Sequence, residues 1–598
     1  MENLAKHRLK KLRKLMKEEK IDAYLVLSSD FHNSEYVSGH FKCREFLTGF
    51  TGSAGSAAVL QEEAVLWTDG RYFLQAESEL AGSGIELYRE GEEGVEELEQ
   101  YLVSHLPKGA TLGVDGRTLS VERYRGIKKK LKQKQISIRL DCDLVGSIWK
   151  DRPQMPCEPV WGLELSYAGR SRKEKLADIR KQLEEKADMT FISALEDIAW
   201  VLNIRGNDVD CTPVALGFLA VDMERAVWFV QPKAVGDALR EELLADGVLI
   251  KDYWEAYGFF CEKYKGKSVY LDFYKTNTMI YKKAKRFMHV KKGRNLTMLP
   301  KATKNETEIR NVKKAHMKDA VACVKFIYWL KTHVLEERIT EISAAEKLEG
   351  FRQGQEHYIG PSFHTIVGYA QHGAIVHYSA TEQTNVALEP KNFVLVDSGG
   401  HYLEGTTDIT RTIALGELAY EQKYHYTLVL KGHIRLAMAK FKYGCSGMNL
   451  DSIARQPLWE QELDFNHGTG HGVGYLLSVH EPPNSFRSRM TKSMEECEKL
   501  EPGMITSNEP GIYLTGEYGV RIENLMVSKQ IGESCFGKFM GFDTLTLVPY
   551  ERDAILKEEL SEKEREWLNA YHEKVFRTIG PCLDEKERDW LKDVTEKL

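Results

Sequence analysis

The chain has 598 residues and a net charge of −6. At roughly 150 residues per domain, that length calls for three or four domains and excludes a single small binding module. Its 42% hydrophobic and 29% charged composition is that of a soluble globular protein, without the basic excess of a dedicated nucleic-acid binder. No window approaches the roughly 18 uninterrupted apolar residues of a membrane span.

From Met1 to Lys20 the chain is cationic, lacks the apolar core of a secretory signal and predicts an amphipathic helix. This runs into Ala23-Tyr24-Leu25-Val26-Leu27, a buried-strand pattern. The same phrase returns when Ile179 to Asp188 leads into Met189-Thr190-Phe191-Ile192-Ser193-Ala194-Leu195, which predicts two related α/β domains in tandem. Pro153, Pro156 and Pro159 mark a linker between them and a boundary near residue 160. A basic, irregular stretch from Lys291 to Pro300 precedes Asn305 and Glu308, which stand in capping-box positions, so a helix should start there. Its apolar residues Ile309, Val312, Ala320, Cys323, Ile327 and Leu330 recur at helical spacing. From Asp553 to Leu598 the pattern is highly charged, with Leu, Trp and Phe at three-to-four spacing, and predicts a helical tail. The expected domains are 1–160, 161–302, 303–552 and 553–598. The ten cysteines are scattered without a C-x-x-C pair, which points to a reducing, cytoplasmic home.

The chemistry concentrates between Phe363 and Glu523. Asp397 stands in Val394-Leu395-Val396-Asp397-Ser398-Gly399, and Asp408 in Gly405-Thr406-Thr407-Asp408-Ile409-Thr410-Arg411-Thr412. Apolar runs on either side of a glycine-rich turn predict a hairpin centred near Tyr402 and Leu403, which would put Asp397 opposite Asp408. Glu509 and Glu523 are equidistant from Gly516, so a hairpin turning at Thr515 to Tyr518 would make them cross-strand neighbours as well. Facing carboxylates on apolar strands repel and lose hydration, and something cationic must neutralise them. Between the pairs lies His467-Gly468-Thr469-Gly470-His471-Gly472-Val473-Gly474, whose glycines permit close backbone approach and whose imidazoles can coordinate a metal. Four carboxylates and one histidine carry a charge that two divalent ions cancel, and an oxygen-rich set with one nitrogen suits Mn²⁺, Co²⁺ or Zn²⁺. Two such ions roughly 3.5 Å apart lower the pKa of a bridging water and stabilise an oxyanion.

Each piece alone has a plainer reading. An Asp in a glycine-bounded turn is a turn former, His377 a core histidine and His480 a loop residue. The glycine run lacks the dinucleotide spacing and a following Lys-Ser/Thr, so it is a weak sign of nucleotide binding. What favours the metal site is the joint occurrence of Asp, Asp, His, Glu and Glu in order, each in a strand or glycine context.

Together these segments resemble the creatinase-like "pita-bread" metallopeptidases, and within them the cytoplasmic, three-domain Xaa-Pro aminopeptidases. Glu509-Pro510-Gly511 and Arg521-Ile522-Glu523-Asn524 extend the match, and Phe50-Thr51-Gly52-Ser53-Ala54-Gly55 and Trp67-Thr68-Asp69-Gly70-Arg71-Tyr72-Phe73 resemble the family's first domain. The resemblance implies an α/β chain: two tandem creatinase-type N-terminal domains, a pita-bread catalytic domain and a helical tail. By the same resemblance Asp397, Asp408, His471, Glu509 and Glu523 hold two metal ions, Mn²⁺ being usual in the family, with Asp408 and Glu523 bridging. His377, His467 and His480 line the substrate site and stabilise the tetrahedral intermediate, and Glu509 takes the proton of the nucleophilic water. Arg71 approaches the substrate, and Tyr513 and Arg521 stand around the metals and the substrate.

The implied activity is release of the first residue from peptides with proline second, by attack of a metal-bridging hydroxide on the first carbonyl. A proline there gives a tertiary amide with no N–H and a fixed φ, which requires a dedicated pocket. The resemblance also implies a homodimer, and neither nucleic acid nor membrane as partner. Prolidases and methionine aminopeptidases share the five ligands, but about 300 residues ahead of the catalytic unit fit the three-domain type. A pita-bread domain used only for binding would lack the complete ligand set.

Overall fold

The computed structural model describes residues 4–489 and 498–598. Contacts divide the chain into two units, Met1–Glu164 with Arg170–Met298, and Leu165–Gly169 with Leu299–Leu598.

The first unit opens with α1 (Leu4–Glu18), which buries Ala5, Leu9, Leu12 and Met16, one residue per turn. That stripe covers a six-stranded sheet of β1 (Ala23–Leu27), β2 (Ser56–Leu60), β3 (Ala64–Thr68), β4 (Glu86–Arg89), β5 (Thr111–Val114) and β6 (Ser137–Arg139), in the order β4-β3-β2-β1-β5-β6. After the proline-rich stretch, α2 (Arg172–Leu183) starts at a Ser171/Glu174 capping box. A second sheet follows, built from β7 (Met189–Ile192), β8 (Gly217–Asp222), β9 (Ala226–Val230), β10 (Val248–Asp252), β11 (Ser268–Leu271) and β12 (His289–Lys292), in the order β10-β9-β8-β7-β11-β12. The two orders are the same strand for strand. So are the directions: the central strand pairs antiparallel on one side and parallel on the other in both sheets. The tandem repeat expected from the recurring helix-to-strand phrase is therefore present.

In the second unit α3 (Glu306–His333) begins at a full Asn305/Glu308 capping box and buries Val312, Ala320, Cys323, Ile327 and Leu330. The same core takes in Leu348 of α4 (Glu341–Gln353) and Leu568, Val575 and Leu591 of the tail helices α5 (Glu562–Ile579) and α6 (Glu585–Val594). The predicted tail is thus two helices sharing the core of this unit, because their apolar spacing gives them a face to bury.

The strands of this unit form several small sheets. They include β13 (Tyr358–Pro361), β14 (Ile366–Tyr369), β15 (Phe393–Ser398), β16 (Gly400–Tyr402), β17 (Gly405–Thr406), β18 (Ile409–Ala414), β19 (Gly470–His471), β20 (Ile505–Asn508), β21 (Gly511–Leu514), β22 (Tyr518–Arg521), β23 (Asn524–Ser534) and β24 (Gly537–Thr544). β14, β15 and β18 form one sheet, β13, β16 and β17 another, and β20 lies beside the β23–β24 hairpin. Among the described residues no helix is long and apolar enough to cross a membrane.

Candidate metal centre

Two hairpins and a glycine-flanked histidine converge here. In the first hairpin the register pairs Asp397 with Thr410, not with Asp408. The expected centre is off by one position because Gly405 adopts a left-handed φ of 144° and pairs with Tyr402, so only Leu403 and Glu404 make the turn. Asp408 lies in the short segment between β17 and β18. The second hairpin follows the expected arithmetic: Gly511 pairs with Arg521 and Asn508 with Asn524. One register thus runs across the gap that holds Glu509 and Glu523.

His471 sits at the end of β19 between two glycines that the site requires. A Cβ on Gly470 would stand 1.9 Å from the Ser507 carbonyl oxygen, and one on Gly472 2.1 Å from that of Glu481. The His471 Nδ1–H donates to the Gly472 carbonyl at 2.9 Å, which turns the Nε2 lone pair toward the acids. Nε2 lies 3.4 Å from Asp408 Oδ2 and 3.5 Å from Glu509 Oε1. Potential ligand atoms of Asp408, His471 and Glu523 all fall within 4.8 Å of one another.

The donors around these acids leave one side of each open. Arg521 Nη2 donates to Asp397 Oδ2 at 2.7 Å and Thr410 Oγ1 to Glu523 Oε2 at 2.7 Å. Asp397 Oδ1 and Glu523 Oε1 are buried with no hydrogen-bond partner, and an unpaired buried carboxylate oxygen is costly unless a cation meets it. The ionisation of the metal-free chain tells the same story. Burial, reinforced by the neighbouring acids, pushes Glu523 well above the carboxylate range. Burial pushes Glu509 up to about 6 despite His471, and Asp397 upward despite Arg521. For His471 burial works against the charged form, but Asp408 and Glu509 carry it up to about 9. Such a set, rich in oxygen with one imidazole, fits divalent ions.

A relay runs outward from the acids. Arg521, 2% exposed, also donates to the Tyr513 hydroxyl at 2.8 Å and to the Val376 carbonyl, next to His377, at 3.3 Å. The Tyr513 hydroxyl lies 2.8 Å from His467 Nε2, and His467 Nδ1 donates to the Gly468 carbonyl at 2.8 Å. The His480 ring stands edge-on to that of His471, with centroids 4.3 Å apart. In the first unit, Arg71 is gripped by Asp69 through two hydrogen bonds of 2.8 Å.

Sequence reading missed three contributors. Thr410, the donor to Glu523, is the second residue of β18, two positions beyond Asp408. Ser507 accepts from the His471 backbone N–H at 2.9 Å and donates to Glu509 at 3.3 Å. Arg455, held by Asp451 at 2.7 Å, donates to the His467 carbonyl at 2.8 Å. No local sequence pattern reveals it.

Metallopeptidase family M24 matches residues 310–530 and the C-terminal region of that peptidase family 538–598. Creatinase/prolidase N-terminal domains match 8–140 and 151–308. The chain is 38% identical over 593 residues to Xaa-Pro aminopeptidase 1 of Dictyostelium discoideum, covering 96% of this chain and 93% of the relative. It is 37% identical over 585 residues to the probable Xaa-Pro aminopeptidase P of Botryotinia fuckeliana, covering 95% and 89%. The X-prolyl aminopeptidase of Caenorhabditis elegans, described as a cytosolic enzyme with a di-nuclear active site, superposes with a TM-score of 0.94 at 34% identity, over 99% of this chain and 100% of that one. The chain therefore belongs to the M24 metallopeptidases, in the whole-length group that joins two creatinase-type domains to the peptidase domain and its C-terminal region.

Proposed function

We propose that this chain is a metal-dependent aminopeptidase that hydrolyses the first peptide bond of peptides with proline in second position. The observation that carries the reading is the buried acid cluster, with open oxygens on Asp397 and Glu523, in a chain related over nearly its whole length to Xaa-Pro aminopeptidases. Asp397, Asp408, His471, Glu509 and Glu523 would hold two divalent ions, Mn²⁺ in our reading, with Co²⁺ or Zn²⁺ as substitutes. Such ions, when bound, supply the Lewis acidity that activates water and polarises the scissile carbonyl.

The chain's own residues do the rest. Glu509, oriented by Ser507, is the base that takes the proton of the attacking water and delivers it to the leaving amine. His377, His467 and His480 line the substrate site and hydrogen-bond the oxyanion as it forms. Tyr513 and Arg521 hold His467 and Asp397 in place. Arg71 is a further substrate-binding residue of this reading. We take domain boundaries near residues 160, 302 and 552, a cytosolic location and a homodimer as part of the same proposal.

The test is hydrolysis of Arg-Pro-Pro beside Met-Ala-Ser and Ala-Pro by metal-stripped protein with Mn²⁺ restored. Release of Arg from the first alone, and only with metal, is the expected result. Cleavage confined to Ala-Pro would make the protein a prolidase, and no cleavage with any metal would make it a binding protein.

A further inference from the structure

The segment between β14 and β15 carries His377, and its conformation is set by one carboxylate that lies outside the metal centre. Glu341, in the first turn of α4, is wholly buried at 0% exposure. Its Oε1 accepts the backbone N–H of Tyr369 at 2.9 Å and the ring N–H of His372 at 2.8 Å. Its Oε2 accepts the Tyr378 hydroxyl at 2.9 Å and the backbone N–H of Val386 at 3.3 Å. These four donors come from the start, the middle and the end of the segment, and two of them flank His377. The His372 and Tyr378 rings stack on each other with centroids 4.5 Å apart. A carboxylate in the first turn of a helix also meets the favourable end of the helix dipole.

The opposite side of the segment is fixed to the metal centre. A Cβ on Gly519 of β22 would stand 1.9 Å from the Gly373 carbonyl oxygen, so the two backbones touch. From the same strand Arg521 holds the Val376 carbonyl at 3.3 Å and Asp397 at 2.7 Å. His377 is thus carried on a short bridge between Glu341 and the strand that orients Asp397.

We propose that Glu341 is a positioning residue for catalysis, holding the 370–386 segment so that His377 meets the scissile carbonyl. The inference rests on the reading of His377 as a substrate-site group. It is tested by a double-mutant cycle between Glu341→Gln and His377→Ala, with kcat, KM and bound metal measured for each variant. Glu341→Gln keeps the shape but turns an N–H₂ toward donors, and misplacing a reacting group by about 1 Å costs on the order of 100-fold. The expected result is a drop in kcat of about 10- to 100-fold with KM and metal content near those of the wild type, and no further drop when His377 is already Ala. Tyr378→Phe, which removes one of the four bonds and keeps the ring, should lower kcat by about tenfold and likewise have no effect in the His377→Ala background. That second variant keeps the test sharp if Glu341→Gln folds poorly. Equal losses with and without His377, or wild-type kcat in both variants, would overturn the role of Glu341 while leaving His377 in place. Full activity of His377→Ala alone would overturn the reading of His377 and this inference with it.

Discussion

The two units bury their strands for different ends. In the first unit the ladders are continuous: β1 pairs along its whole length with β2, and β8 with β9 for five consecutive residues, mostly Val, Leu, Ala and Phe. In the second unit three of the four acids stand where ladders break, and the fourth, Asp397, is paired near the end of one. Asp397 is the next-to-last residue of β15, Asp408 lies ahead of β18, Glu509 in the gap between β20 and β21, and Glu523 in the gap between β22 and β23. An unbroken ladder satisfies its own backbone and stabilises through apolar burial. A break lets a side chain turn toward a common centre at the cost of burying charge. The first unit gains stability from regularity, and the second places chemistry where regularity stops.

Four experiments would break or sharpen this contrast. The largest effect is expected from Asp408→Ala, which should lower kcat/KM by about a thousandfold or more and deplete bound metal, while circular dichroism stays that of the folded protein; retained activity would remove the acid cluster from the reaction. Next, His377→Ala should reduce kcat by about 100-fold with metal content unchanged, and loss of metal would place His377 among the ligands instead. Third, removing metal with a chelator should raise hydrogen exchange in residues 393–414 and 505–524, because binding stabilises only the fold that forms the site, and leave residues 23–68 as they were. Equal deprotection of both regions would erase the distinction between the units.

The smallest effect concerns His316 on α3, 0% exposed, with neither ring nitrogen hydrogen-bonded. Burial holds its pKa down at about 4 from an ordinary 6.5, against the pull of Asp319 and Asp408. The unfolded chain takes up a proton below pH 6.5 that the folded chain refuses, so the stability this group permits is complete above pH 6.5 and is lost as pH falls toward 4. His316→Leu should therefore raise Tm by a margin that grows on acidification, worth about 2 kcal/mol at pH 5. A pH-independent shift would contradict it.

Much of this was legible in the sequence because it rests on local rules. The helix-to-strand phrase at Ile179 gave the tandem repeat, Asn305 and Glu308 gave the start of α3, and the symmetry of Glu509 and Glu523 about Gly516 gave a true register. The hairpin at Leu403 and Glu404 was displaced because a left-handed Gly405 shortens the turn, a conformation that composition does not specify. Glu341, Arg455 and the partner of Arg521 stayed hidden because their roles depend on residues far away in the chain: Arg521 meets Asp397 across 124 positions.

Arg521 also sets the charge that ions bound at the proposed site would meet. It is a fixed cation beside Asp397, while burial and the neighbouring acids push Glu523 upward and Asp408 and Glu509 carry His471 up to about 9 despite its burial. In the proposed site, ions and protons would therefore compete for the same side chains. Ion binding there would release protons, so uptake should strengthen as pH rises toward 9, and calorimetry in two buffers of different ionisation enthalpy would count the protons released. On the proposed reading, metal exchange would be a trade of ions for protons beside a guanidinium held by Asp397.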